Sequence, residues 1–200
     1  MKVTLLGAGA WGTAMASQAA RQLREEDVCL WSRNADQLEA IAQTGQNQAY
    51  LPGISLPKNL HLEGDFDAAV KRLGVDDLLV IATPMSGLSE TIARVLKVAN
   101  QPLNIVWLCK GLEPETALLP HQVVDREDRL HSRGIQHAYG ALSGPSFAHE
   151  VGSGMPCALT VASSSERLCK IVQAAFHHGN MRDRKSTRLN SSHRCISYAV

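Results

Sequence analysis

The sequence predicts an α/β domain built on a doubly wound parallel sheet. Apolar runs of about five residues alternate with longer segments of helical periodicity. Strands that are apolar throughout are typical of a sheet that helices cover on both faces. Because crossovers between parallel strands are right-handed, such an alternation winds helices onto both sides of one sheet.

Buried strands are predicted where apolar residues follow one another without interruption. In chain order these segments are Lys2–Leu6, Val28–Trp31, Asp77–Thr83, Ile105–Cys109, Ala138–Leu142 and Ala158–Ala162. Helices are predicted where apolar residues recur three or four positions apart. They are Ala10–Leu23, Ala35–Gln43, Asp65–Leu73, Ser86–Val98, Thr116–Leu130 and Ser164–Phe176. Glycines and prolines punctuate Thr44–Pro57, which is therefore predicted to be a loop.

Composition restricts the classes of function. The chain has 200 residues, of which 44% are hydrophobic and 20% charged, and its formal net charge is +1. This balance gives no general attraction to nucleic acid or anionic lipid. No apolar run approaches the roughly 20 residues that a membrane span requires. The 5 cysteines form no CxxC pair and show no metal-ligand spacing. We therefore expect a cytoplasmic protein with reduced thiols and no metal, nucleic-acid partner or membrane span.

The most specific local motif is the turn between the first strand and the first helix. It reads Gly7-Ala8-Gly9-Ala10-Trp11-Gly12 and fits GxGxxG. In this motif the first glycine permits a tight turn, the second lets a pyrophosphate approach the backbone, and the third lets helix and strand pack closely. The helix N-terminus then offers N–H groups and a partial positive charge to the phosphates. The motif in this context predicts a dinucleotide site.

The end of the second strand bears on the choice of cofactor. Sites specific for NAD usually carry an acidic residue there, but this strand runs into Ser32-Arg33-Asn34, and the first acid is Asp36. The Arg33 guanidinium suits a 2′-phosphate or a stacked adenine, so NADPH is favoured over NADH. The alternative is a solvated loop arginine.

Two further strand ends carry polar groups, where open α/β sheets bind ligands. Lys110 follows the strand that ends at Cys109, and its ammonium group suits a phosphate or a polarised oxygen. The stretch Ser143-Gly144-Pro145-Ser146 offers hydroxyls and backbone N–H groups before a short helix. The alternatives are a solvent-facing lysine and a serine that only caps the helix.

Six segments now identify a family resemblance. In order they are GAGAWGTAMA, LWSRN, AYLPG, IATP, LCKGLE and LSGPSFAHEV. Over about residues 1–182 they resemble the N-terminal domain of bacterial NAD(P)-dependent glycerol-3-phosphate dehydrogenases. The resemblance implies a Rossmann-like domain, NAD or NADP as cofactor, and interconversion of sn-glycerol 3-phosphate and dihydroxyacetone phosphate for glycerophospholipid synthesis. It is compatible with a homodimer in the full-length form.

The resemblance also implies roles for particular residues. Besides Gly7, Gly9 and Gly12, the positions implied to contact the cofactor are Ala10, Trp11, Arg33, Tyr50, Lys110 and Ala148. The positions implied to bind the phosphate-bearing substrate are Lys110, Gly144 and Ser146. In the family, a lysine general base and a helical second domain follow the segment that is matched here.

The resemblance stops abruptly at Asp183. Residues 183–200 are rich in Arg and Ser, and no lysine follows Lys185. We therefore expect a dinucleotide-binding domain over residues 1–182 and a disordered, non-homologous tail over residues 183–200, produced by a frameshift or read-through. The C-terminal helical domain and the catalytic lysine base are expected to be missing, and the chain to be nearly inactive.

Other classes of protein fit less well. The main alternative is a non-catalytic dinucleotide-binding module used for sensing or as a scaffold. A nucleic-acid binder is disfavoured because the basic residues of the tail have no interleaved aromatic side chains. Another dehydrogenase with the same N-terminal domain is disfavoured by the CKG and SGPSFA segments.

Overall fold

The structure, a computed structural model, describes residues 1–24 and 27–176 and the backbone of residues 195–199. The strands are β1 (Val3–Leu6), β2 (Val28–Trp31), β3 (Leu60–Glu63), β4 (Leu78–Ile81), β5 (Asn104–Trp107), β6 (Ala138–Ser143), β7 (Leu159–Ser163) and β8 (Cys195–Ala199). The helices are α1 (Ala10–Gln22), α2 (Ala35–Thr44), α3 (Phe66–Lys71), α4 (Leu88–Val98), α5 (Pro120–His131), α6 (Ala148–Gly152) and α7 (Glu166–Phe176).

These strands form one sheet in the order β3-β2-β1-β4-β5-β6-β7-β8. The pairs from β3 to β6 are all parallel. The chain moves outward from β1 in one direction, returns, and moves outward from β4 in the other. This confirms the predicted doubly wound sheet and places its topological switch between β1 and β4, where ligands bind in such folds.

Each face of the sheet carries its own apolar core because side chains alternate along a strand. On one face, Val3 and Leu5 pack with α1, α6 and α7. On the other face, Leu6 and Ile81 pack with α3, α4 and α5. The strands β1, β2, β4 and β5 are buried along their whole length, which explains why Thr4 and Asn104 are their only polar residues.

The direction of β7 differs from the predicted parallel sheet, because β7 pairs with β6 in antiparallel fashion. The helix α6 follows β6 and does not cross the sheet. Instead, Gln18 of α1 donates to the Val151 carbonyl, and Arg21 donates to the Gly152 carbonyl at 2.8 Å. Because α6 is held at the edge where β6 ends, the chain re-enters the sheet from that edge and runs the opposite way.

Two other elements differ from the sequence expectation. The strand β3 was not predicted, because only Leu60 and Leu62 of its four residues are apolar. The helix α5 begins at Pro120, not at Thr116, since Ala117 has a positive φ of 54° and the fixed φ of proline suits a first helical turn.

The expectation of a disordered tail stays a prediction, and within that tail the structure describes Cys195–Ala199. These residues form β8, which pairs with β7 in antiparallel fashion through backbone hydrogen bonds. Residues 183–194 and Val200 of the tail lie outside the described residues. The proposed boundary between the domain and the tail stays a prediction.

The described part of the chain contains neither a membrane-spanning helix nor a metal-binding cluster. None of the helices there is long and apolar enough to cross a membrane. In the same part of the chain, no group of three or more His, Cys, Asp or Glu side chains is placed to hold a metal ion.

Candidate functional site

The candidate site lies at the carboxyl edge of the parallel strands. There β1 leads into Gly7, β4 leads into Ala82 and Thr83, and the loop after β5 carries Lys110. The turn after β6 contributes Gly144 at the same edge. The parallel register therefore brings together chain segments that are far apart in sequence.

Backbone conformation and close contacts require glycine at two positions of the glycine-rich turn, Gly7 and Gly12. Gly7 has a positive φ of 121°, and a Cβ there would lie 3.0 Å from the backbone of Ala82. A Cβ on Gly12 would lie 1.9 Å from the Gly7 carbonyl oxygen, so any side chain there would force α1 away from β1. At Gly9, in contrast, an added Cβ would meet no atom within 4 Å. The open side of the turn is therefore at Gly9, where a pyrophosphate is expected to approach.

The start of α1 leaves its N–H groups available. Gly9 is the N-cap residue, and no side chain caps this end of the helix. The first N–H groups of a helix have no partner within the helix, and the helix dipole favours an anion beside them. Nearby, the Thr83 hydroxyl is buried and lacks a hydrogen-bond partner within the described residues. The open Gly9 face and the uncapped amides fit the phosphates of a dinucleotide.

A side-chain network that the sequence did not predict holds this turn from behind. Asn47 and Gln37 both donate to the Ala8 carbonyl oxygen, at 2.9 Å and 2.6 Å. Asn47 also donates to the Thr13 hydroxyl at 2.7 Å, and Ser32 donates to Gln37 at 2.8 Å. No periodicity or motif marks these polar residues. Their role depends on the loop after α2 folding back onto the turn.

Two predicted cofactor residues are exposed. Arg33 follows the end of β2, and within the described residues its guanidinium makes no hydrogen bond or ion pair. It is therefore available to an incoming anion. The Tyr50 side chain is 56% exposed and lies in the loop after α2. Their cofactor contacts stay predictions.

Three predicted residues meet around one small cavity, of about 10 Å³, beside the turn. Trp11, Lys110 and Gly144 line it together with Leu108, Leu142 and other residues of the strand ends. Lys110 Nζ donates to the Gly144 carbonyl oxygen at 3.0 Å. The exposed ammonium group keeps two further hydrogens for other acceptors. The cavity thus combines an indole, a fixed cation and backbone groups.

The turn after β6 has packing reasons for its sequence. A Cβ on Gly144 would lie 2.2 Å from the Ala158 carbonyl oxygen, so β7 approaches too closely for a side chain. Ser146 Oγ donates to the same oxygen at 3.4 Å, so it ties the turn to β7 and does not cap α6. The N–H of Phe147 donates to Glu150 at 3.0 Å, so the amide at the start of α6 is already satisfied. The roles predicted for Gly144, Ser146 and Ala148 in ligand binding remain predictions.

An ion-pair cluster fixes the loop that carries Lys110. Arg126 donates to both carboxylate oxygens of Glu113 at 2.9 Å and to Glu127 at 2.9 Å. Ser89 joins this cluster through hydrogen bonds to Arg126 and Glu127. The hydrogen bonds from Arg126 and then Thr116 hold the pKa of Glu113 below its usual range. A cleft of about 500 Å³ adjoins this cluster, but its polar groups largely satisfy one another.

The cysteines near the site are unsuited to nucleophilic chemistry. Burial raises the pKa of the Cys109 thiol to about 11. Burial also raises the pKa of Cys157, against the opposing effect of a hydrogen bond with Ser146. Both side chains therefore stay protonated near neutral pH, and the reactive species of a cysteine is the thiolate.

A glycine-rich turn at the switch point of a doubly wound parallel sheet defines a class of protein. The chain has the nucleotide-binding domain of an NAD(P)-dependent dehydrogenase. Residues 2–169 match the family model described as NAD-dependent glycerol-3-phosphate dehydrogenase N-terminus. The chain therefore belongs to the NAD-dependent glycerol-3-phosphate dehydrogenase family, as its sequence motifs predicted, and NAD or NADP is its cofactor.

Individual relatives agree with this assignment. The chain is 76% identical over 182 residues to a glycerol-3-phosphate dehydrogenase [NAD(P)+] of Polynucleobacter necessarius, covering 91% of this chain and 54% of that protein. It is 51% identical over 187 residues to the corresponding protein of Cupriavidus metallidurans, with the same coverage of both chains. The crystal structure of the Coxiella burnetii glycerol-3-phosphate dehydrogenase superposes with a TM-score of 0.77 at 30% identity, covering 90% of this chain and 51% of that one.

The chain spans about half the length of the curated relatives that it matches. The substrate and the reaction of the full-length relatives therefore enter below only as a proposal for this chain.

Proposed function

We propose that the chain is the cofactor-binding part of an enzyme that interconverts sn-glycerol 3-phosphate and dihydroxyacetone phosphate with NADP(H) or NAD(H). The observation that carries the proposal is the grouping of Trp11, Lys110 and Gly144 at the strand ends beside the glycine-rich turn. A bound nicotinamide cofactor supplies or accepts the hydride. The protein places the phosphates at Gly9 and offers the Lys110 ammonium group to a substrate oxygen.

The finer parts of the proposal concern cofactor choice and cellular role. NADPH is favoured because Arg33, at the end of β2, has no partner among the described residues and suits a 2′-phosphate. The product of the reductive direction is a glycerol phosphate, which suits glycerophospholipid synthesis in the cytoplasm. The proposal includes a homodimer in the full-length form and no nucleic-acid partner.

The proposal also includes slow turnover by the chain alone. Oxidation of the alcohol requires a general base, which the family resemblance assigns to a lysine that lies after the matched segment and outside the described residues that form this site. Removing a general base typically costs about 10²–10⁴-fold in rate. The described residues therefore account for cofactor binding and for part of the substrate site.

The test separates binding from turnover. Fluorescence titration of the purified chain with NADPH is expected to show saturable binding. An assay of NADPH oxidation with dihydroxyacetone phosphate is expected to show a rate about 100-fold or more below that of an intact relative. Absence of NADPH and NADH binding by the folded chain would refute the proposed function. Binding of the dinucleotide with no effect of the phosphate substrate on it would favour the non-catalytic module.

A further inference from the structure

We propose that Asn47 and Gln37 are positioning residues that orient the Ala8–Gly9 peptide for pyrophosphate binding. The inference rests on the proposed function, since it concerns the phosphate subsite of the cofactor. It assigns a role to two residues that make no contact with the open face of the site. Their amides reach the glycine-rich turn from the opposite side.

Two side-chain amides saturate the Ala8 carbonyl group. Its oxygen accepts from Asn47 Nδ2 at 2.9 Å and from Gln37 Nε2 at 2.6 Å. A carbonyl oxygen has two lone pairs, so these donors use its full capacity. The carbonyl group is therefore held pointing toward the loop after α2.

The geometry of the peptide unit then determines the direction of the Gly9 N–H. In a trans peptide the C=O and the next N–H point in opposite directions, because the unit is planar. The amides that fix the Ala8 C=O therefore direct the Gly9 N–H toward the opposite, open face. Within the described residues, that N–H has no acceptor, and a Cβ on Gly9 would meet no other part of the chain within 4 Å. This is the donor that a pyrophosphate oxygen would meet.

The side-chain amides of Asn47 and Gln37 are themselves fixed by further hydrogen bonds. Asn47 is only 1% exposed, and its second N–H donates to the Thr13 hydroxyl at 2.7 Å. The second N–H of Gln37 donates to Asn47 Oδ1 at 3.4 Å, while its oxygen accepts from Ser32 at 2.8 Å. With all four amide hydrogens used, neither side chain can rotate without losing a bond. A turn fixed in this way loses little entropy when it binds phosphate.

The network also connects two parts of the cofactor site. Ser32 lies directly before Arg33, at the end of β2, and its Oγ also accepts from the Asn34 N–H at 3.2 Å. The same chain of hydrogen bonds thus runs from the segment expected to hold the adenosine end to the turn expected to hold the pyrophosphate. Both ends of the cofactor therefore meet a surface whose parts are positioned by one another.

The experiment compares two ligands in the full chain. Asn47→Asp and Gln37→Glu each replace an amide by a carboxylate, which cannot donate to Ala8. Gln48→Glu makes the same chemical change on an exposed side chain of the same loop and controls for the added negative charge. The ligands are ADP-ribose, which has the pyrophosphate, and adenosine 2′-phosphate, which lacks it. Affinities are measured by calorimetry and, for weak binding, by amide chemical shifts.

Asn47→Asp is expected to lower the affinity for ADP-ribose about tenfold, since a buried acceptor loses its donor. Gln37→Glu is expected to act in the same direction and to fold readily, because glutamate at the third helical position is favourable. Binding of adenosine 2′-phosphate should change less than about twofold, and the Gly9 amide resonance should no longer shift with added pyrophosphate. Thermal unfolding establishes that each variant is folded at the temperature of measurement.

The possible outcomes separate this inference from the proposed function. Equal ADP-ribose affinity in wild type, Asn47→Asp and Gln37→Glu would overturn the inference and leave cofactor binding intact. An equal loss for ADP-ribose and adenosine 2′-phosphate would also overturn it, because the residues would then only support the fold. If wild type bound neither ADP-ribose nor NADPH, the proposed function would fall, and the inference with it.

Discussion

The Lys110 ammonium group donates a hydrogen bond to the Gly144 carbonyl oxygen at 3.0 Å. This bond joins the loop after β5 to the turn after β6, two segments that are 34 residues apart in the chain. It fixes the cation beside Trp11 at the edge of the cavity. The relationship makes Lys110 the residue whose removal should best separate substrate binding from folding.

Replacing Lys110 by methionine is expected to weaken binding of dihydroxyacetone phosphate about tenfold or more, because the methionine keeps the stem but loses the charge. The free energy of unfolding should change by less than about 1 kcal/mol, since the side chain is exposed. Lys97→Met, on the exposed face of α4, is the control. Ligand-observed NMR in the presence of NADP⁺ measures the affinity. Unchanged affinity in Lys110→Met would contradict the substrate role.

The glycine-rich turn offers a matched pair of substitutions. Gly12→Ala should lower the free energy of unfolding by about 3 kcal/mol or more, because its Cβ would lie 1.9 Å from the Gly7 carbonyl oxygen. Gly9→Ala should lower the free energy of unfolding by less than about 1 kcal/mol, since the added Cβ would meet no other part of the chain within 4 Å. Its methyl group would instead occupy the phosphate side of the turn and abolish measurable NADPH binding. Urea unfolding and fluorescence titration test the two effects, and a stable Gly9→Ala that binds normally would argue against the phosphate site.

Arg33 is expected to set the preference between the two cofactors. Arg33→Gln should weaken NADPH binding about tenfold and NADH binding less than about threefold, because only NADPH has the 2′-phosphate that the guanidinium binds. Arg129→Gln, on the exposed face of α5, removes a similar charge away from the site. Titrations of both cofactors give the ratio. If NADH bound much more tightly than NADPH to wild type, the proposed preference would be wrong.

The ion pair between Glu113 and Arg126 should make stability depend on pH. Glu113→Gln is expected to lower the free energy of unfolding by about 1 kcal/mol at neutral pH. Because the pKa of Glu113 is lowered in the fold, its contribution is complete above the unfolded pKa of about 4.3. The contribution is lost as pH falls through the folded pKa, which lies lower still.

Urea unfolding between neutral and acidic pH tests the effect of Glu113. Wild type and Glu113→Gln should converge in stability at acidic pH. Glu115→Gln, an exposed carboxylate two positions along, should show no such convergence. A difference between wild type and Glu113→Gln that stays constant down to the lowest pH would contradict the assigned ion pair.

Much of this fold was readable from the sequence, for a physical reason. The strands β1, β2, β4 and β5 are buried on both faces, so their positions appear as apolar runs in which Thr4 and Asn104 are the only polar residues. The glycine-rich turn was equally readable, because two of its glycines are required by backbone conformation or by contact. Such local requirements leave a local mark on the sequence.

Other features depend on contacts that no local pattern encodes. The antiparallel direction of β7 follows from Gln18 and Arg21, which hold α6 against α1. The role of Asn47 follows from a loop that folds back onto Ala8, 39 residues earlier. The motifs predicted the family and several positions that the structure brings together. They could not predict the residues that hold those positions in place.

The contact between the glycine-rich turn and Ala82 has a consequence for biosynthesis. The turn is made early, but Ala82, against which it packs, is translated only after β4. The Lys2 amide likewise donates to Asp77 across a separation of 75 residues. Parallel pairing over such distances is slow because the chain loses entropy before it gains contacts. A nascent chain that stops short of β4 therefore contains the whole glycine-rich turn but lacks Ala82, against which the turn packs. Nucleotide binding by chains still on the ribosome should therefore report when β4 has paired with β1.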